Sequence, residues 1–207
     1  MDHSIPLNNA GQRPERSDAV ANRERILIET RQLFAEHGPT AVNMSDVVRA
    51  AGIGRGTLYR HFPNKGELCL AVMNEEIAEF QNEVLGRLRH LSRENAPAMS
   101  QLDEFLSLLV IFTDTYTALL REVQAQGLSY FDKKQGTPTQ WQQATVLGLL
   151  QMAAAAGEIG QAHDIEYLAD AVLAPLNPQL FYYQREVQGF SAERISNGLR
   201  AFVRQLE

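Results

Sequence analysis

One cysteine in 207 residues, Cys69, excludes an intrachain disulfide and any metal site built on several thiolates. A small buried apolar side chain is its expected role. Long hydrophobic runs are missing too. The longest, 106–113, falls far short of the roughly 20 residues a membrane span needs. No basic-then-apolar leader opens the chain, so no signal peptide, no membrane partner and a cytoplasmic location are expected. Alternation of period two with turn chemistry occurs nowhere, which leaves little room for strands. Nucleophile–base pairs and glycine-rich phosphate loops are lacking. The one cluster of potential ligands, His163, Asp164 and Glu166, reads as a charged helix start because metal ligands must converge. Catalytic residues, metals and cofactors are therefore not expected, and a helical small-molecule enzyme is the weakest of the available readings.

Excess positive charge is absent as well: the formal net charge is −6. Its distribution is uneven, with nine Lys/Arg against seven Asp/Glu in residues 1–66 and ten against eighteen from there on. A mildly basic N-terminal unit precedes an acidic one, so the local field rather than the total decides whether DNA is a partner. A ligand-independent DNA binder, the second alternative, would want a broadly basic surface.

What is present is helical periodicity. Residues 1–17 show none and read as a flexible arm; its Arg13 and Arg16 could reach a minor groove, but, offset by Asp2 and Glu15, they read first as part of a solvated tail. From Asp18 to His37, Ile26, Leu27, Thr30, Leu33 and Phe34 share one helix face, and Gly38-Pro39 ends the helix. Asn43 caps a second helix, with Asp46 at capping-box spacing. Gly52 breaks it, and a third begins near Gly54. A long helix is expected from Lys65 to Leu91, then one over 101–126 that is apolar nearly all round and hence central. Further helices are expected over 138–157, over 164–188 with breaks at Pro175 and Pro178, and from Ser191 to the end, with a possible short one within 127–137. The fold class is all-α: an arm (1–17), a three-helix DNA-binding unit (18–64) and a helical domain (65–207).

Two short helices around a glycine turn form a helix-turn-helix, whose second helix enters the major groove. Leu58 and Phe62 lie on its inner face. Arg55, Thr57, Tyr59, Arg60 and His61 spread around the rest, and Gly56 permits close backbone approach. Asn43, Ser45 and Lys65 open the flanking helices, where backbone N–H groups suit phosphate.

The run Asp46-Val47-Val48-Arg49-Ala50-Ala51-Gly52-Ile53, then Gly56-Thr57-Leu58-Tyr59-Arg60-His61-Phe62 and Asn64-Lys65, with Ile26, Leu33, Phe34 and Gly38 before it, closely resembles the DNA-binding domain of the TetR family of transcriptional repressors. The resemblance covers about forty residues, and it departs at Gly54, where the family usually has Ser. It implies groove-facing roles for Arg55, Gly56, Thr57, Tyr59 and Arg60, and backbone contacts for Asn43, Ser45, His61 and Lys65. It also implies a ligand-responsive regulator that binds a palindromic operator in double-stranded DNA as a homodimer and is released by a small, mostly apolar effector. Phe80, Phe105, Leu109, Phe112, Tyr116, Trp141, Met152 and Tyr183 are candidate pocket linings, though aromatics at this spacing also simply pack. Leu173, Leu176, Leu180, Phe181, Ile195, Leu199, Phe202, Val203 and Leu206 are candidates for the dimer interface, or for packing within the chain.

Overall fold

The computed structural model describes residues 12–126, 138–160 and 163–206, with side chains described from residue 18 in the first helix and from 140 in the helix that starts at Pro138. Among the described residues there are helices and no strands. The helices are α1 (Gln12–His37), α2 (Met44–Ala51), α3 (Arg55–His61), α4 (Lys65–Val72), α5 (Asn74–Arg93), α6 (Ala98–Ala125), α7 (Pro138–Ala156), α8 (Ile165–Leu173), α9 (Pro178–Tyr182) and α10 (Ala192–Arg204). A 3₁₀ turn over Ala174–Leu176 joins α8 to α9, and a π-helical turn over Tyr183–Val187 follows α9. The possible short helix within 127–137 lies outside the described residues, as do the side chains of Arg13 and Arg16.

The first three helices stop where local chemistry makes them stop. Gly52 takes φ 61°, a left-handed cap that a side chain would strain, and its N–H donates to Arg49 and Val48 carbonyls. Asn43 Oδ1 accepts from the N–H groups of Ser45 and Asp46, and Asp46 Oδ2 accepts from Asn43 N–H at 2.9 Å. This reciprocal box fixes where α2 begins. Ile26, Leu27, Phe34, Val47, Leu58 and Phe62 close one apolar cluster, joined by Leu68, Cys69 and Val72 of α4 and by Val123 of α6. Leu58 is fully buried, so its truncation to Ala would cost about 2–5 kcal/mol.

The second cluster gathers α5 to α10, with Leu102, Phe105, Leu106 and Leu109 of α6 at its centre. Helix α6 thus runs through both cores. At 28 residues it is about 42 Å long. Its N-terminus lacks a local cap because Pro97 precedes it. Instead the Glu158 carboxylate accepts from Ala98 N–H at 2.9 Å and Met99 N–H at 2.8 Å.

Three expectations are corrected. The first helix begins at Gln12, so part of the expected arm is helical. The helix expected from Lys65 to Leu91 is two, broken at the buried Met73, whose ψ is −1°. The break falls where the segment changes cores, Val72 packing in the first cluster and Val84 in the second. Helix α6 is not buried all round: Ile111 is 62% exposed.

Candidate nucleic-acid interface and its regulatory neighbour

Helix α3 anchors itself through Leu58 and Phe62 and leaves Arg55, Gly56, Tyr59 and Arg60 exposed. The Arg55 guanidinium lies over the Tyr59 ring at 5.5 Å, one turn apart on the same face. Arg23 of α1 lies over Phe62 at 5.4 Å and ties the end of α3 to the first helix. Thr57 is half-buried. Asn43 and Ser45, at the start of α2, are exposed and share a cleft with Tyr59, Asn64 and Lys65. Asn64 Oδ1 caps α4 by accepting from Glu67 N–H at 2.9 Å. The beginnings of α2 and α4 and the exposed side of α3 therefore converge on one surface.

Two of the expected backbone contacts are differently placed. His61 is half-buried, and its Nε2 is buried without a hydrogen-bond partner. Burial first, then the charges of Arg60 and Arg23, lower its pKa, so the ring is neutral at pH 7 and is not a cation offered to phosphate. The Lys65 ammonium is turned inward. It sits 3.0 Å from Glu122 Oε2 of α6, with 16% and 17% of the two side chains exposed, and 3.4 Å from the Thr40 carbonyl.

Five of the eight candidate pocket residues form one aromatic group between α5, α6 and α7. Phe80 stacks on Phe112 with centroids 4.4 Å apart, and Phe112 meets Tyr116 at 4.7 Å. Trp141 presents an edge to Phe80 at 5.9 Å and to Phe105 at 5.7 Å. Leu109 is fully buried in the core alongside. Met152 and Tyr183 do not belong with them; they are 50% and 47% exposed. Their residue type suited a pocket lining but did not say which side of each helix faces inward.

Six of the nine expected dimer residues, Leu173, Leu176, Phe181, Ile195, Leu199 and Val203, are buried in the chain's own core. Their burial within one chain leaves them little surface for a partner; they support the outer face from beneath. Leu206 is half-buried. Leu180 and Phe202 are 42% and 48% exposed, and Phe202 borders a groove with Ala171, Pro175 and Gly198. An Arg185 contact that sequence reasoning missed holds the π turn there: its guanidinium donates to Asp114 and, at 2.7 Å, to the Phe190 carbonyl. No local spacing links residues 71 positions apart.

A short, polar, exposed second helix set across a glycine turn from a capped first helix, and carried on a larger helical domain, defines a helix-turn-helix protein. Residues 26–72 match the sequence model for "Bacterial regulatory proteins, tetR family". Over that domain the chain is similar to the tetR family of bacterial regulatory proteins. Two HTH-type transcriptional regulators of Staphylococcus aureus are similar to it. One, from strain bovine RF122 / ET3-1, is 42% identical over 31% of this chain and 35% of that protein. The other, from strain MRSA252, is 31% identical over 53% of this chain and 57% of that protein. The chain therefore matches between about a third and somewhat over half the length of these curated relatives. Among solved structures, Thermus thermophilus FadR, a TetR-family transcriptional repressor in complex with lauroyl-CoA, superposes with a TM-score of 0.60 at 14% identity, over 87% of this chain and 92% of that one. Among the described residues no helix is long and apolar enough to cross a membrane.

Proposed function

We propose that this chain is a ligand-responsive transcriptional regulator, in the first instance a repressor, which binds a palindromic operator as a homodimer and releases it on binding a small, mostly apolar effector. The observation that carries this reading is the surface where α3 exposes Arg55, Gly56, Tyr59 and Arg60 beside the capped starts of α2 and α4. Arg can bond a guanine edge with two hydrogen bonds, and a tyrosine ring or hydroxyl can meet a thymine methyl or a phosphate. Asn43 and Ser45 at the start of α2 suit phosphate, as does Lys65 once it leaves Glu122. Thr57 and a neutral His61 would adjust the fit of α3 in the groove.

One seven-residue helix offers little contact area, so a pair spaced by one helical turn of DNA is the economical solution. Leu180, Phe202 and the groove beside Gly198 are the surface for the second copy. The aromatic group of Phe80, Phe105, Phe112, Tyr116 and Trp141 is the proposed effector site, and the Thermus FadR, which shares the fold, is in complex with lauroyl-CoA, whose acyl chain is apolar. Effector binding shifts a population only as far as its affinity differs between the two states.

Selection of random duplex DNA by the purified full chain, followed by sequencing, tests the reading. A palindrome with half-sites about one helical turn apart is expected. Tyr59→Ala with Arg60→Ala should abolish its recognition while leaving the oligomer intact. Sequence-indifferent binding that survives this double substitution would instead favour a ligand-independent DNA binder.

A further inference from the structure

Three guanidiniums at α3 have no carboxylate partner among the described residues: Arg55 and Arg60 on the helix itself, and Arg23, which arrives from α1. Arg23 is exposed, and its guanidinium lies over the Phe62 ring, 5.4 Å from the centroid. Phe62 is buried and closes α3 at its C-terminal end. A cation of the first helix is therefore held at the end of the helix offered to the major groove. His61, between Arg60 and Phe62, registers it: after burial, the charges of Arg60 and then Arg23 hold its pKa down. Two like charges gather at this end of α3, beside a neutral imidazole whose buried Nε2 has no hydrogen-bond partner.

Cover for Phe62 explains a long side chain at position 23 but not its charge. An uncharged chain of similar length would shield the ring as well, whereas a guanidinium near Arg60 is repelled by it, and no acid of the chain neutralises either. A bound anion removes that repulsion. Stacking occupies one face of the guanidinium and leaves its N–H edges free, and those edges are what grip a phosphate with two hydrogen bonds. The side chain is also ordered in advance, so less freedom is lost when the phosphate arrives. Its place is distinct from the contacts already described: among the described residues, α1 contributes nothing to the cleft of Asn43, Ser45, Tyr59, Asn64 and Lys65. We propose that Arg23 is a further operator contact, which clamps from α1 a backbone phosphate at the C-terminal end of α3, separate from the phosphates offered to the starts of α2 and α4. This rests on the operator-binding reading above and adds to it a residue that sets affinity and register rather than base choice.

The test is the salt dependence of binding between the full chain and the duplex it selects. Each phosphate contact contributes about 0.9 to the slope of log affinity against log salt, so losing one in each of two protomers lowers the slope by about 1.8. Raising salt from about 50 to about 200 mM should then weaken Arg23→Gln roughly tenfold less than it weakens the wild type. A repeated selection with the variant should return the same bases. Arg25→Gln changes the net charge equally, at a neighbouring arginine that donates to Asn22, and should keep the wild-type slope. A residue that only tethers α3 to α1 gives another pattern: affinity falls by one factor at every salt concentration and the slope stays. Arg23→Met retains the cover over Phe62 without the charge and should repeat the Arg23→Gln result. It decides the matter if circular dichroism shows Arg23→Gln unfolded. An unchanged slope in folded Arg23→Gln or Arg23→Met overturns the inference, as does an equal fall in Arg25→Gln. A wild-type chain that selects no operator overturns the operator-binding reading and this inference with it. Specific wild-type binding with an unaltered slope in the Arg23 variants overturns this inference alone.

Discussion

At the scale of single residues, Cys69 shows how completely the junction between the two units is closed. Its side chain is fully buried, and burial pushes its thiol up to about 12; Lys65 opposes that rise and Glu122 adds to it. An unfolded thiol ionises near pH 8.5, roughly three and a half units lower. Between these values the unfolded chain releases a proton that the folded chain keeps, so stability falls as pH rises through that window and is unaffected below it. The slope is at most about 1.4 kcal/mol per pH unit. Urea midpoints measured from pH 7 to 10 should fall more steeply above about pH 8.5 for the wild type than for Cys69→Ala, whatever the offset between the two curves. In the native state a disulfide reagent at pH 8 should leave the thiol unmodified. Modification at the rate of a free thiol would place Cys69 on an accessible surface.

At the scale of elements, legibility followed the range of the interaction that makes each one. Helix α2 could be read closely because its start and end are written within ten residues, in Asn43, Asp46 and Gly52. That cap makes a definite prediction. Asn43→Ala removes the acceptor for two N–H groups and should cost about 1 kcal/mol in chemical denaturation. It should also weaken DNA binding, since α2 supports α3; an unchanged midpoint would mean that water replaces the cap at no cost. The break at Met73 was not legible. No proline or glycine marks it, and its cause is a change of packing partner from one core to the other. The start of α6 is stabilised by Glu158, some sixty positions away, and the π turn by Arg185 reaching Asp114. The candidate site divided in the same way. Period and residue type brought out the exposed side of α3. Residue type, which offered Met152 and Tyr183 as pocket linings and Leu176 and Phe181 as interface, could not say which side of each helix the rest of the chain would cover.

At the scale of the whole molecule, one charged pair sits where the two units meet on a shared helix. Helix α6 contributes Phe105, Phe112 and Tyr116 to the aromatic group, then Glu122 and Val123 to the surface against the DNA-binding unit. Lys65 has two claimants, the Glu122 carboxylate it holds at 3.0 Å and, in the proposed complex, an operator phosphate. Both demand the same ammonium. If DNA binding draws Lys65 away from Glu122, the pair opposes binding, and any ligand-driven shift of α6 that tightens the pair opposes it more. Removing the carboxylate charge then frees the lysine. Glu122→Gln should raise operator affinity up to about tenfold, equivalent to about 1.4 kcal/mol, and reduce the factor by which an effector changes that affinity. The same substitution should lower thermal stability modestly, by an amount between the roughly 0–1 kcal/mol of exposed ion pairs and the roughly 3–5 kcal/mol of buried ones, since both partners are mostly but not wholly covered. Equilibrium binding to the selected operator, with the wild type and the variant in parallel, decides between two roles. Tighter binding means the pair is a competitor for the phosphate contact. Weaker binding means that Glu122 props α4 in its DNA-ready position, and that Lys65 reaches the duplex, if at all, only through its backbone N–H.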